Sequence, residues 1–441
     1  MYADITPPQR TNDSGLVPSG EQESVSGSEG VQDLAKWIQG VRANSNAIDN
    51  LEAQSAASNR VLGFVSTLRE ILQQPLVWRE TIDVVRAAEE ELGTLISSES
   101  APAIRSVALT GSGSSLFVGE CVRRFLQDRL GVACEAIAGG DLLLSRAEAV
   151  PLQPRLVISF ARSGDSPESV GAVEALLETE SDSRHLVITC NREGRLATEF
   201  AENPRVTVLV LPDSTCDRSL VMTSSFTSMA VACRALGYRN EFTQYAEHAK
   251  ATAKVVSEIL LHSTDAIGRV ARSGFSRAIF LGGRARLGSA HESALKMLEM
   301  TEGRVATMAE SFLGLRHGPM SFVREDSLLV CFLSSDRLER AYEMDLLAEL
   351  DRKCLGARRV LVGAGVAEAQ PGGSVPGGGS LAVSWDEDIQ LGSDGECIPG
   401  VIVGQLLAFF RCLAEGLNPD APSPTGVIGR VVGGFQIHPL S

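Results

Sequence analysis

Small hydroxyl-bearing side chains follow two apolar stretches of the chain, at positions where strands would end. The loop "GSGSS" (111–115) comes after the apolar run "SVALT", and the loop "ARSGDS" (161–166) comes after "LVISF". Ser166 is suited to cap a helix that begins at Pro167. Each loop would offer backbone N–H groups, hydroxyls and the positive end of a helix dipole. This combination can hold a phosphate without lysine, although each loop taken alone also reads as ordinary turn and cap residues.

A second group of reactive side chains lies in the later half of the chain. In "LGSAHESALKMLEMTEG" (287–303), the residues Glu292, Lys296 and Glu299 are spaced i, i+4 and i+7 and share one helix face. An exposed ladder of ion pairs would have the same spacing. The apolar neighbours predict that the helix is covered, and a covered carboxylate needs a partner or a chemical role. His317 follows where the helical pattern stops, and reads either as structural or as catalytic.

Several kinds of site are excluded by the residues present. Neither loop has the GxGxxG spacing of a dinucleotide site, and the chain has no GK[ST] sequence of a P-loop. The nine cysteines form no CxxC pair and the six histidines form no HExxH motif, so no metal site is expected. We therefore expect no cofactor, no metal and buried, reduced thiols.

The charge balance bears on the partners. Lys and Arg number 40 against 55 Asp and Glu, for a formal net charge of −15. A nucleic-acid-binding surface would have to be basic, so this class of partner is disfavoured. The amino terminus has no signal-peptide pattern and we find no apolar run of about 18 residues. These features predict a cytoplasmic protein that binds neither nucleic acid nor a membrane. Together with the two hydroxyl-rich loops, they predict that its ligand is a small metabolite carrying a phosphate.

Short apolar runs alternate with helical patterns in both halves of the chain. This alternation predicts an α/β fold with parallel sheets covered on both faces, in two doubly wound units of similar size. We expect a disordered or loosely helical amino-terminal extension over 1–60. The amino-terminal helices and the first domain would occupy 61–240, and the second domain with a carboxyl-terminal tail would occupy 241–441.

Five motifs together resemble those of a known family: "TGSGSSLFVGE", "FARSGDSPESV", "LVMTSSFTSM", "ESALKMLEMTEG" and "LRHGPMSF". They are similar to the tandem sugar-isomerase (SIS) domain family, in particular its tagatose-6-phosphate ketose/aldose isomerase branch, whose members are also described as galactosamine-6-phosphate deaminase/isomerases. The resemblance covers about 65–441. It implies two flavodoxin-like αβα sandwiches and a cofactor-free enzyme. The implied reaction is ketose/aldose isomerisation of hexose or hexosamine 6-phosphates, with or without deamination.

The resemblance also implies a role for individual residues. Those expected to hold the phosphate are Ser114, Ser115, Arg162, Ser163 and Ser166. Those expected to line the sugar are Gly113, Thr223 and Lys296. Glu299 matches the base that moves a proton between C1 and C2, and His317 matches a histidine that assists ring opening from the neighbouring subunit. A homodimer or higher homo-oligomer with a shared site is therefore expected.

The chain also departs from the isomerase half of glucosamine-6-phosphate synthase, a relative of that branch. Ala161 replaces a phosphate-binding serine, and a rough match puts Gly433 where the synthase has a lysine, which argues against a Schiff-base step. The first 60 or so residues are too few for the synthase's glutaminase domain, so ammonia transfer from glutamine is not expected. Two other functions stay open: a non-catalytic phosphosugar-binding regulator, and a phospho-fructosamine deglycase. The configuration of the sugar and the group at C2 are undetermined by sequence.

Overall fold

Two parallel sheets flanked by helices form the described part of the chain. The computed structural model describes residues 26–51, 63–96, 102–145, 153–356, 358–366, 380–431, 433 and 436–438. The predicted α/β class with two doubly wound units is confirmed. One hydrophobic cluster runs through both halves and includes Leu109 and Phe160 of the first sheet and Phe280 and Val330 of the second.

The first sheet has five parallel strands in the spatial order β2–β1–β3–β4–β5. Its strands are β1 Ser106–Gly111, β2 Ala133–Ala138, β3 Arg155–Ala161, β4 Arg184–Thr189 and β5 Val206–Val210. Every residue of β1 and β3 is buried, as their apolar runs predict for strands covered on both faces. The strand order reverses between β1 and β3, and ligands of such sheets bind in the crevice beyond the carboxyl ends of the strands at that point.

The second sheet repeats this connectivity. Its strands are β6 Arg277–Gly282, β7 Ala306–Glu310, β8 Leu328–Phe332, β9 Arg358–Ala364 and β10 Ser380–Trp385. They are parallel and lie in the order β10–β9–β8–β6–β7, so β6 and β8 occupy the places that β1 and β3 have in the first sheet. Each sheet therefore has one crevice at its point of reversal.

Helices cover the sheets and join the two halves. Those of the described residues are α1 Ser26–Ala43, α2 Val65–Ala87, α3 Glu89–Ile96, α4 Ser114–Leu130, α5 Gly139–Ser145, α6 Pro167–Thr179, α7 Arg195–Thr198, α8 Ser224–Arg234, α9 Phe242–His262, α10 Thr264–Arg272, α11 Ala285–Met300, α12 Arg337–Arg352, α13 Gly392–Gly395 and α14 Cys397–Ala414. Helix α11 of the second half packs against α4 of the first half as well as against α14. This packing brings side chains of α11 to the crevice of the first sheet.

Helix α14 is apolar and lies in the core. The expectation that the chain has no apolar run of about 18 residues is wrong at this helix, whose 18 residues have a mean hydropathy of 1.8. By length and composition it could cross a membrane, but 83% of it is buried inside the protein. No other described helix meets the same criteria. Its hydrophobicity is accounted for by its packing between α10 and α11.

Part of the predicted amino-terminal extension is described, over residues 26–51. Val41 and Ile48 of this segment are fully buried. Asp265 at the start of α10 accepts hydrogen bonds from the Ser45 hydroxyl at 2.6 Å and from the Ala47 N–H at 2.9 Å. This segment is thereby tied to the folded protein, whereas residues 1–25 and 52–62 lie outside the described residues.

Candidate active site

A cavity of about 210 Å³ opens at the carboxyl ends of β1 and β3, where the first sheet reverses its order. The loops after the two strands line it together with side chains of α11. The expected site residues that line this cavity are Gly113, Ser114, Ser115, Arg162, Ser163, Ser166, Lys296 and Glu299. The structure thus brings together the two hydroxyl-rich loops and the carboxylate–lysine pair, which are more than 120 residues apart in sequence.

Both loops lead into helices whose first turns face the cavity. Gly113 precedes α4 with φ 56°, a left-handed conformation that favours glycine. Ser166 precedes α6 at the capping position and Pro167 is the first helical residue, but the Ser166 side chain makes no capping hydrogen bond. Backbone N–H groups at the start of a helix favour an anion. The two loops therefore bring N–H and hydroxyl donors to the cavity.

Arg162 lines the cavity, yet its guanidinium is engaged with the backbone. It donates to the carbonyl oxygens of Leu220 at 2.8 Å, Ser219 at 3.3 Å and Arg430 at 2.8 Å. Burial lowers the pKa of Arg162, and the nearby Asp217 carboxylate opposes this effect. Arg162 holds two other segments of the cavity wall in place, a role that the sequence did not indicate.

Lys296 is the centre of a buried charged cluster. Its Nζ lies 2.5 Å from Glu299 Oε2 and 3.5 Å from Glu292 Oε1, and it donates to the Ser114 hydroxyl at 3.0 Å. The side chains of Lys296 and Glu292 are 1% and 0% exposed, whereas that of Glu299 is 24% exposed. The covered helix predicted from the apolar pattern is therefore found, with Glu299 reaching the cavity and Glu292 beneath it.

The charged groups of this cluster change one another's pKa values. Burial raises the pKa of Glu292 to about 7, although the ammonium group of Lys296 opposes that effect. Burial lowers the pKa of Lys296, but the carboxylates of Glu292 and Glu299 outweigh burial and hold it above its ordinary value. Lys296 is accordingly a cation at neutral pH, placed where it can hold Glu299 or an anionic oxygen of a ligand.

Two expected site residues lie outside the cavity. Thr223, expected to line the sugar, is buried and donates from its hydroxyl and its N–H to Asp217, at 2.9 and 2.7 Å, at the start of α8. Its hydroxyl thus serves a helix terminus, and Thr223 is not among the residues that line the cavity. His317 is exposed after the short helical turn Gly314–Arg316 and is not among the residues that line the cavity of its own chain.

The cavity wall includes residues that sequence reasoning missed. Ile428, Gly429 and Arg430 of the carboxyl-terminal segment line it, and so does Glu168 of α6. Gly433, matched in sequence to a lysine of the synthase, does not line the cavity. The cation that this segment brings to the cavity is Arg430, which is exposed. No motif in residues 426–431 signals this position.

The remaining wall, Leu220 to Met222, is held by two buried carboxylates. Glu70 of α2 accepts from the N–H groups of Arg218 and Ser219 and from the Ser219 hydroxyl. Burial, together with the charge of Asp217, raises the pKa of Glu70 to about 7. Asp217 accepts hydrogen bonds from the N–H groups of the first turn of α8. The loop that contains Leu220 to Met222 is therefore held at its start by Glu70 and at its end by Asp217.

The crevice of the second sheet is filled by the protein's own side chains. Arg286, 1% exposed, lies 2.8 Å from Glu396, 2.9 Å from Glu339 and 3.3 Å from Glu343. The N–H groups of the loop after β8, equivalent to the phosphate-side loop after β3, donate to Glu343 and Glu396. The second crevice thus satisfies these donors with the protein's own carboxylates. Among the described residues no group of three potential metal ligands occurs.

Comparisons with known proteins agree on one kind of relative. The chain is 32% identical to the D-galactosamine-6-phosphate deaminase AgaS of Escherichia coli, over 85% of this chain and 95% of that protein. It is 38% identical to an AgaS protein of Streptomyces coelicolor, over 86% and 96%. No protein-family profile matches the chain.

Solved structures give the same picture. A tagatose-6-phosphate ketose/aldose isomerase from Escherichia coli superposes with a TM-score of 0.72 at 30% identity, covering 85% of this chain and 96% of that one. The C-terminal domain of glucosamine-fructose-6-phosphate aminotransferase from Francisella tularensis superposes with a TM-score of 0.66 at 18% identity, covering 80% and 98%. The latter likeness concerns the fold alone.

Proposed function

The chain belongs to the AgaS family of sugar-isomerase (SIS) proteins, and from that premise we propose that it isomerises and deaminates a hexosamine 6-phosphate in the first-sheet cavity. The enzyme moves a proton between C1 and C2 of the sugar. The observation that carries the proposal is the meeting, in one cavity, of two donor-rich helix starts and the Lys296–Glu299 pair of a different helix. The first feature suits a phosphate, and the second suits proton transfer at carbon.

The phosphate is bound by the two loops. Ser114 and Ser115 before α4, and Ser163 and Ser166 before α6, supply hydroxyls and N–H groups. Arg162 keeps the neighbouring wall in place through its bonds to backbone carbonyls. Arg430 at the rim adds a positive charge that favours an anionic ligand.

Glu299 is the base at carbon. With the sugar in the open-chain form, Glu299 removes the proton from C2 of the aldosamine, while O1 gains a proton to give an enolamine. Glu299 then returns its proton to C1, and the amine nitrogen gives up one proton in exchange for the one that O1 gained. The product carries a C2 imine, which adds water and releases ammonia to leave the ketose 6-phosphate. Lys296 stays close to Glu299 and supports the negative oxygen that develops at O1.

His317 acts on the neighbouring subunit. It is exposed and lies outside the cavity of its own chain, and the family resemblance implies that it opens the sugar ring across a subunit interface. The active form is then a homodimer or a higher homo-oligomer in which each site uses residues of two chains.

The test is a substrate panel with a matched variant. Galactosamine 6-phosphate, glucosamine 6-phosphate and tagatose 6-phosphate are scored separately for ammonia release and for ketose–aldose conversion. Glu299→Gln is expected to lower kcat by about 10² to 10⁴ while binding of the phosphate is retained. Glu178→Gln, an exposed carboxylate of α6, is the control and keeps wild-type rates. Conversion of any panel sugar at the wild-type rate by folded Glu299→Gln protein would remove Glu299 from the reaction.

A further inference from the structure

Glu168 carries a cavity-lining carboxylate, and one of its oxygens has no donor among the residues that the structure describes. It is the second residue of α6, directly after Ser166 and Pro167, and it lines the cavity. Its Oε2 is shielded from solvent and no hydrogen-bond donor of the described residues reaches it. A buried acceptor without a donor is costly and native proteins rarely keep one without a reason. The arrangement calls for a donor on the ligand.

The phosphate of the ligand cannot be that donor. A phosphate dianion presents acceptor oxygens and negative charge, so a carboxylate beside it must bind something else. The other carboxylate of the cavity, Glu299, already has Lys296 Nζ at 2.5 Å. A sugar phosphate offers two kinds of donor, hydroxyl groups and, in a hexosamine, the amino group at C2.

The position of Glu168 in the fold favours a hydroxyl group over the C2 amino group as its donor. Under the proposed function, on which this inference rests, the loop before α6 holds the phosphate while Glu299 on α11 stands at C1 and C2. Glu168 belongs to the helix that follows the phosphate loop, whereas the C2 amine is assigned to the Glu299 side. The substrate first binds as the pyranose, before its ring is opened, and in that form the C5 oxygen belongs to the ring. The hydroxyl at C4 is then the first free donor counted from the phosphate.

We infer that Glu168 accepts a hydrogen bond from the C4 hydroxyl of the substrate and is the residue that determines specificity at this carbon. C4 is the position at which galacto and gluco configurations differ. A carboxylate oxygen without another donor gains from a correctly directed hydroxyl and loses its partner when the hydroxyl points elsewhere. Glu168 is thus a selectivity residue, distinct from the residues that hold the phosphate or move the proton.

The experiment compares a hexosamine 6-phosphate with its 4-deoxy analogue. The parent sugar is whichever member of the panel the wild-type protein turns over best. For the wild type we expect kcat/KM to fall about 10- to 100-fold when the C4 hydroxyl is removed. For Glu168→Met the two substrates should have kcat/KM values within about twofold of each other, and Glu168→Gln, which keeps an amide oxygen, should retain part of the difference.

Inorganic phosphate, tested as a competitive inhibitor, separates this role from a structural one. Its inhibition constant should be unchanged or lower in Glu168→Met, because the variant loses only a negative charge and keeps the phosphate loops. Glu174→Gln, an exposed carboxylate of the same helix, is the control.

Three results would overturn the inference. One is an unaltered difference between the parent and 4-deoxy substrates in Glu168→Met, and another is the absence of any difference in the wild type. The third is a parallel loss of phosphate inhibition, which would make Glu168 a support of the loop. Failure of the proposed function would look different, since the wild type would then turn over no sugar of the panel.

Discussion

The buried carboxylate Glu292 should make the stability of this protein depend on pH in a way that one substitution removes. Its pKa is raised from 4.5 to about 7 by complete burial, and the protonated form is therefore favoured in the folded state. A group whose pKa is higher in the folded state contributes stability that is complete below the unfolded pKa. That stability is lost as the pH rises through the folded value.

The size of the effect follows from the shift. A difference of about 2.5 pKa units corresponds to roughly 3 kcal/mol, at about 1.4 kcal/mol per unit. Glutamine has nearly the same shape and does not titrate, so Glu292→Gln should abolish this contribution. Between pH 5 and pH 8 the free energy of unfolding of the variant should rise relative to wild type by roughly 2 to 3 kcal/mol. The substitution also changes the attraction between residue 292 and Lys296, whose Nζ is 3.5 Å from Glu292 Oε1. This change shifts the difference in unfolding free energy between the two proteins, in addition to its dependence on pH.

The assay is denaturant unfolding of both proteins at several pH values and one fixed protein concentration, because subunit association would otherwise change the apparent stability. The quantity of interest is the difference between the two free energies as a function of pH. Glu178→Gln provides the control, with a flat difference expected for an exposed carboxylate. A flat difference for Glu292→Gln as well would refute the reasoning, since Glu292 would then be ionised throughout as a simple partner of Lys296.

Two further predictions concern the cavity wall and the shared site. Arg162→Met should raise KM for the sugar phosphate about tenfold or more through loss of its bonds to the carbonyls of Leu220 and Arg430. Arg162→Lys, which keeps the charge but not the forked geometry, should do nearly the same, and a wild-type KM for it would mean that charge alone matters. Mixing His317→Ala with Glu299→Gln subunits should restore about a quarter of wild-type activity in randomly formed dimers. Activity that stays at the level of the separate variants would show that His317 does not serve a neighbouring subunit.

The sequence by itself determined the class of fold and the place of the two hydroxyl-rich loops. Apolar runs such as that of β3 are buried along their whole length, which local composition already indicated. The loops at 111–115 and 161–166 follow parallel strands, so their common edge was predictable from connectivity. The residues that resemble the family lie in these contiguous segments, where spacing along the chain carries the information.

Helix spacing also predicted that Glu292, Lys296 and Glu299 share a face. Helix spacing could not predict how deeply each of the three side chains is buried, because burial depends on the packing of α4 and α14 against α11. Glu292 became fully buried and Glu299 stayed partly exposed for that reason.

Only the tertiary structure decided which polar residues are left for a ligand. Ser115 and Thr223 are similar hydroxyl-bearing residues in similar motifs, yet Ser115 lines the cavity and Thr223 is engaged by Asp217. Glu168 and Arg430 come from segments about 260 residues apart that meet at one wall. A side chain is available for binding when its own fold gives it no partner, and that depends on which distant segments the folded chain places beside it.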